Sequence, residues 1–184
     1  SSYLPARLRW LARTRSTAFQ RVDRWFSIGE YMAWKLSGET GVSHSVASWS
    51  GLLDRRRLVW DEPLLAALPV REEQLSPLTD AGVPRQGLRE PFAGRWPALK
   101  AVLWFPTVGD GAAANVGSGC VSSERVALTM GTTSAIRLVT EQTVDHVPDG
   151  LWCYRVDRSR SLPGGAMTEG GNVFAWLRDT LDLP

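Results

Sequence analysis

The sequence predicts an α/β fold, and three features carry the prediction. Short apolar runs of strand length recur at 101–105, 126–130, 135–139 and 151–156, each beside turn residues. Around them lie stretches with apolar residues at helical spacing, at 5–13, 27–37, 61–68 and 173–179. Gly and Pro fall mostly at the joints between these runs. With 184 residues, one domain is the default and parts of two also fit.

Residues 5–13 read as the first helix. Pro5 suits its first turn, and Leu4, Leu8 and Leu11 share a face. A second helix is expected over 27–37. Ser27 with Glu30 three residues on is a capping box, and Ser37-Gly38 ends the run. Ile28, Tyr31, Met32 and Leu36 recur along it and predict a face turned to the core. Residues 41–45 read as a polar turn or strand before a short helical stretch, 46–51, and His44 there could meet a substrate hydroxyl or be purely structural. Leu53-Asp54 and Trp60-Asp61 bracket a tight turn. Asp61 then caps a helix with Pro63 in its first turn. From Pro69 to Pro97, repeated Pro and Gly predict loops and short strands.

Residues 101–105 predict a buried strand leading to Asp110, followed by a small-residue helix over 111–119. Residues 126–130 and 135–139, joined by Gly131-Thr132-Thr133-Ser134, predict a β-hairpin. A further strand follows near 151–156. Leu162-Pro163-Gly164-Gly165-Ala166 then leads to Glu169-Gly170-Gly171, and Asn172 is expected to cap a last helix.

Composition narrows the function classes. Hydrophobic residues make up 43% of the chain, which suits a packed core rather than a disordered coil. Lys+Arg 21 against Asp+Glu 19 leave +2, too near neutral to point to nucleic acid. Arg7, Arg9, Arg13, Arg15, Arg21 and Arg24 crowd the start and read as a solvated helix face plus linker rather than an anion-binding patch. Cys120, Cys153, His44 and His146 lack metal-ligand spacing, so no protein metal site is expected. Nor is a disulfide framework, which favours a reducing, cytoplasmic setting. No apolar run approaches the roughly 20 residues that span a membrane, and no signal peptide is expected from these residues. The opening Ser1-Ser2-Tyr3-Leu4-Pro5 and the ending Leu181-Asp182-Leu183-Pro184 read as the edges of an excised piece.

The residues with chemistry are few. Asp110, between Gly109 and Gly111, follows an apolar run, so a cleft at the strand's end could admit a substrate close to the backbone. A carboxylate there could take the proton of an attacking hydroxyl. Gly131, Thr132, Thr133 and Ser134 offer backbone N–H groups and three hydroxyls, a possible anion cradle without a lysine. No Walker loop is present. Each signal has a plain structural alternative: Gly-Asp-Gly as a turn, Gly-Thr-Thr-Ser as a hairpin loop, and Gly164-Gly165 and Gly170-Gly171 as packing bends.

At these residues the sequence resembles the FGGY carbohydrate kinases of the actin/Hsp70/sugar kinase superfamily. Leu8-Arg9-Trp10-Leu11 resembles the family's Lys-x-x-Trp-Leu helix, with Arg7 or Arg9 where lysine is usual. Glu30-Tyr31-Met32 with Lys35-Leu36-Ser37-Gly38 is similar to its Asp-Tyr-Leu and Leu-Thr-Gly pair. Ser45-Val46-Ala47-Ser48, Gly51-Leu52-Leu53-Asp54, Trp60-Asp61 and Leu64-Leu65 follow in the family's order. Gly109-Asp110-Gly111 matches its aspartate motif, and Met130-Gly131-Thr132-Thr133-Ser134 resembles its Gly-Thr-Ser phosphate motif with one extra threonine.

The resemblance implies RNase H-like α/β domains, as a fragment spanning parts of two. Residues 1–121 would end the first, sugar-binding domain, and 122–184 would begin the second, nucleotide-binding one. It implies transfer of the γ-phosphate of ATP, with Mg²⁺, to a hydroxyl of a sugar or sugar acid. Asp110 would be the general base, with Gly109 and Gly111 beside it toward the substrate. Gly131, Thr132, Thr133 and Ser134 would contact the phosphates, and Gly170 and Gly171 would lie toward the nucleotide. Ala135-Ile136-Arg137, Cys153-Tyr154 and Gly164-Gly165-Ala166 look most like gluconokinases, which favours gluconate over other polyols and ketoses. The family's Asp-x-Gly-Thr loop and adenosine segment have no counterpart in these residues, so little activity is expected of this chain alone. Exposed apolar surface would favour self-association, as a homodimer. The alternatives weighed are a catalytically silent binding or regulatory module on the same fold, and an actin/Hsp70-like ATPase.

Overall fold

The computed structural model describes residues 3–181. Ser1, Ser2 and Asp182–Pro184, part of the stretches that read as the edges of an excised piece, lie outside them. The chain forms two compact units. One runs to Gly109 and includes Arg155–Arg158; the other comprises Asp110–Tyr154 and the residues from Ser159 on.

The first unit opens with α1 (Leu4–Thr14), which buries Pro5 and Leu8, and a short α2 (Ser16–Gln20). In α3 (Ile28–Ser37) the expected capping box is formed. The Glu30 N–H donates to Ser27 Oγ at 3.3 Å, and the Ser27 N–H donates to Glu30 Oε2 at 2.8 Å. Gly38, at φ 85°, closes the helix in the left-handed region that favours glycine.

The expected inward face of α3 is overturned. Ile28, Tyr31 and Met32 are 78%, 42% and 50% exposed, while Glu30 is buried. The close approach is at Gly29, one residue before the buried Glu30. A Cβ at Gly29 would overlap Thr107, so that side of the helix lies against the chain. Tyr31 instead meets Trp34 on the helix's own surface.

Next come β1 (Val42–Ser43) and α4 (His44–Ser50), which starts earlier than expected because Ser43 caps it, accepting from the Val46 N–H. A hairpin of β2 (Leu53–Asp54) and β3 (Val59–Trp60) follows. Asp54 Oδ1 accepts from the Arg56 and Arg57 N–H groups in its turn. In α5 (Glu62–Ala66), Asp61 caps by accepting from the Leu64 N–H. β4 (Leu78–Thr79) pairs in parallel with β1. β5 (Arg85–Gln86), α6 (Phe92–Arg95) and β6 (Leu103–Trp104) complete the unit, β6 pairing antiparallel with β5.

Leu8, Val42, Ala47, Leu52, Leu53, Trp60, Leu65, Val70 and Leu75 form the core. The expected buried strand at 101–105 shrinks to β6, with Leu103 and Phe105 exposed. Its pairing among the described residues is with the two-residue β5, too little to cover either face.

The second unit begins with α7 (Asp110–Gly117), whose Gly111, Ala112 and Asn115 are buried. Its sheet has the order β7 (Val126–Met130), β8 (Ser134–Leu138), β10 (Ser161–Met167), β9 (Trp152–Arg155). β7 and β8 form the expected hairpin, with Met130 opposite Ser134. β10 was not among the expected strands; it pairs antiparallel with β8, Gly165 opposite Ile136. Its glycines are spatial necessities, since a Cβ at Gly164 would lie 2.5 Å from Ile136 O and 2.6 Å from the Trp152 ring. The last helix, α8 (Gly171–Leu181), starts one residue before Asn172, which lies inside its first turn rather than capping it. Asn172 Nδ2 donates to Glu169 Oε2 instead.

Candidate functional site

Asp110 is the first residue of α7 and is exposed to solvent. The positive end of a helix favours a carboxylate there. Its neighbours Gly109 and Gly111 are buried, so the acid alone of the three faces water. The loop before it is tightly held. The Gly109 N–H donates to Ser45 Oγ at 3.0 Å, and Ser43 Oγ donates to Thr107 O at 2.5 Å. A Cβ at Gly109 would meet Trp49 Nε1 at 2.9 Å, so the loop's backbone passes directly against the indole.

Gly131-Thr132-Thr133-Ser134 forms the turn between β7 and the start of β8. The Gly131 N–H donates to Thr133 O at 2.9 Å, within the turn itself. Its carbonyl accepts from the Gly171 N–H at 2.6 Å. Thr132 and Thr133 are exposed, whereas Ser134 is 3% exposed. Gly170 sits so close to the turn that a Cβ on it would lie 2.8 Å from Gly131 O and 2.9 Å from Thr133 C. The structure thus brings Gly131–Ser134 together with Gly170 and Gly171. Among the described residues no side-chain hydrogen bond is made by Asp110 to that pair.

This arrangement fits a phosphate group in one respect. The glycines at 170 and 171 let α8 begin directly against the turn, leaving Thr132 and Thr133 outermost with their hydroxyls. The Gly131 N–H is already engaged and is not a free donor. No group of three or more His, Cys, Asp or Glu that could hold a metal ion occurs among the described residues, and Mg²⁺ carried by ATP phosphates needs only one or two carboxylates.

His44 lies in α4, 4% exposed, rather than at an open polar turn. Burial pushes its pKa below the ordinary 6.5, with Asp80 opposing, Arg158 and Arg155 adding to the fall, and Asp157 opposing. Its Nδ1 has no hydrogen-bond partner. A cavity of about 230 Å³ lies in the core of the first unit, bounded by Leu8, Trp25, Val46, Leu52, Trp60 and Leu75.

Apart from the motif Ser45-Val46-Ala47-Ser48, nothing in the sequence assigns a role to Ser43, Ser45, Ser48 or Trp49. Ser48 Oγ donates to Ser45 O and accepts from the Arg155 N–H at 2.9 Å. The available signal was a run of hydroxyls, Ser43, Ser45, Ser48 and Ser50, in a stretch otherwise fit for a core helix.

The model of the FGGY family of carbohydrate kinases, N-terminal domain, matches residues 2–117. The chain is 27% identical over 181 residues to a gluconokinase of Bacillus licheniformis, covering 95% of this chain and 34% of that protein. It is 30% identical to a glycerol kinase of Nocardia farcinica, covering 96% of this chain and 36% of the relative. The crystal structure of gluconate kinase from Lactobacillus acidophilus superposes with a TM-score of 0.86 at 26% identity, over 96% of this chain and 36% of that one. The chain therefore has the RNase H-like fold of the actin/Hsp70/sugar kinase superfamily, and it spans about a third of the length of the curated relatives it matches.

Proposed function

The chain belongs to the FGGY family of carbohydrate kinases, and from that premise we propose that it serves, within a longer enzyme, the ATP-dependent phosphorylation of a hydroxyl on a sugar or sugar acid. The observation that carries the reading is Asp110: a solvent-facing carboxylate at a helix start, between two buried glycines, directly after a loop held at Gly109 by Ser45.

In this reading Asp110 accepts the proton of the substrate hydroxyl as its oxygen bonds to phosphorus. The bond from that phosphorus to the bridging oxygen breaks, and ADP leaves with the electron pair. ATP supplies the transferable phosphoryl group. Thr132 and Thr133 bind and orient the phosphates through exposed hydroxyls and turn N–H groups. Ser134 holds the turn from inside, and Gly170 and Gly171 keep the space beside it clear. Gly109 and Gly111 let the substrate approach the backbone beside Asp110.

Gluconate is the favoured substrate, supported by likeness to gluconokinases of two Bacillus species. Likeness to glycerol kinases keeps other polyols as the competing class. A first-domain part ending at 121, a second beginning at 122, a cytoplasmic setting and a homodimer complete the proposal. Since the chain spans about a third of its relatives, it is expected to show little turnover by itself.

The test is Asp110→Asn in the full-length protein. We expect kcat to fall about 100- to 10,000-fold while KM for the sugar stays nearly constant. Normal turnover in that variant would sink the assignment.

A further inference from the structure

We infer that Ser45 is a positioning residue for Asp110, acting through the peptide that precedes it. The inference rests on the reading of Asp110 as the general base. Residues 105–109 lie outside any helix or strand, so no ladder or helical hydrogen bonds hold them. Side chains do it instead. Ser45 is fully buried, and its Oγ accepts from the N–H of Gly109, itself buried, at 3.0 Å. Two residues earlier on each side, Ser43 Oγ donates to Thr107 O. Thr107 in turn lies over Gly29 of α3, and Trp49 of α4 closes the space where a Cβ of residue 109 would stand.

These clamps act at residues 107 and 109, and the second is one peptide bond from the acid. Glycine has the widest choice of backbone angles, so at 109 it is the hydrogen bond and the indole, not a side chain, that limit the path into Asp110. A general base must meet its proton within hydrogen-bond reach. Misplacement by about 1 Å can cost roughly 100-fold in rate. Ser45 therefore matters for where the carboxylate rests, and less for how tightly either substrate binds. Ser48 reinforces it, donating to the Ser45 carbonyl at 2.8 Å.

The experiment has two arms. In the 184-residue chain, hydrogen exchange at the Gly109 amide is compared between wild type and Ser45→Ala; protection is expected to fall about 10-fold or more. In the full-length protein, Ser45→Ala is expected to lower kcat about 10- to 100-fold and leave both KM values within about 3-fold. Ser45→Cys, nearly isosteric with a weaker acceptor, is expected to fall between the two and keeps the test informative if the alanine variant does not fold.

Combined with Asp110→Asn, Ser45→Ala should add no further loss, because a residue acting only through Asp110 has nothing left to position. An equal loss in the Asp110→Asn background, a change confined to KM, or unchanged protection at Gly109 each overturns the role given to Ser45. Wild-type turnover in Asp110→Asn alone identifies the other failure, that of the base assignment, and removes this role with it.

Discussion

The glycine at 170 offers a test of how the turn at 131–134 is built. Gly170→Ala adds a methyl carbon 2.8 Å from Gly131 O and 2.9 Å from Thr133 C. Carbon contacts settle at about 3.5–4.0 Å, so the turn must retreat by roughly 1 Å. A side-chain hydroxyl could rotate away, but these two atoms are backbone. Gly131 O also accepts the Gly171 N–H at 2.6 Å, and that bond stretches as the turn moves off. Overpacking of this kind costs about 1–3 kcal/mol. At about 1.4 kcal/mol per factor of ten, opening at this point should become roughly 5- to 150-fold more frequent.

Hydrogen exchange at the Gly171 amide, comparing wild type with Gly170→Ala, reads that change directly. In the full-length protein the same substitution should raise KM for ATP about 10-fold or more and leave KM for the sugar unmoved, as expected for lost nucleotide binding. Gly82→Ala is the control. No atom lies within 4 Å of a Cβ there and the residue is not among the positive-φ glycines, so the variant should be neutral or gain about 0.4–1 kcal/mol. Unchanged protection at Gly171 in Gly170→Ala would refute the claim that turn and helix start compete for one space.

Two further outcomes follow from burial. His44 has its pKa depressed chiefly by burial, so the unfolded chain binds a proton that the folded chain does not. Its contribution to stability is present above the unfolded value of 6.5 and is lost as pH falls from there through the folded value. The slope from this one group is at most about 1.4 kcal/mol per pH unit. Urea midpoints at about pH 7.5 and about pH 5.5 should differ more in wild type than in His44→Gln, and an equal difference would assign the acid sensitivity elsewhere. Leu8→Ala, at a core side chain 2% exposed, should cost the first unit about 2–5 kcal/mol in chemical denaturation, and a loss below about 1 kcal/mol would mean the site collapses around the smaller residue.

What could be read from the residues was local chemistry. Ser27 with Glu30, Asp61 before Pro63, and Gly38 after Ser37 mark helix ends through contacts a few residues long, and the structure forms all three. The hairpin at 126–138 was equally legible from its apolar runs and its turn. Distant contacts were not legible. Periodicity named an apolar stripe on α3, but the structure buries Glu30 and packs Gly29 on Thr107, leaving Ile28, Tyr31 and Met32 exposed. Pro163, Gly164 and Gly165 argue against a strand by composition, yet the closeness of Ile136 and Trp152 makes glycine the residue that fits. At the candidate site, Asp110 and the turn stood out as motifs. The bond from Gly109 to Ser45 spans 64 residues, and although both segments carry motifs, nothing in either says that the two meet. The association of Gly131–Ser134 with Gly170 and Gly171 was expected only through family likeness.

The course of the chain through its two units has a consequence for modularity. After Tyr154 it enters the first unit for Arg155–Arg158, then leaves again at Ser159. Within that unit the Arg155 N–H donates to Ser48 Oγ and the Arg158 N–H to Asp80 Oδ1. A single cut after Gly109 therefore yields no faithful module. The upstream piece loses two donors beside α4 and Asp80, and the downstream piece carries a four-residue segment whose partners are gone. A transplant of the first unit into a relative has to carry both stretches. Recombination among members of this family should tolerate breakpoints outside 155–158 better than within it.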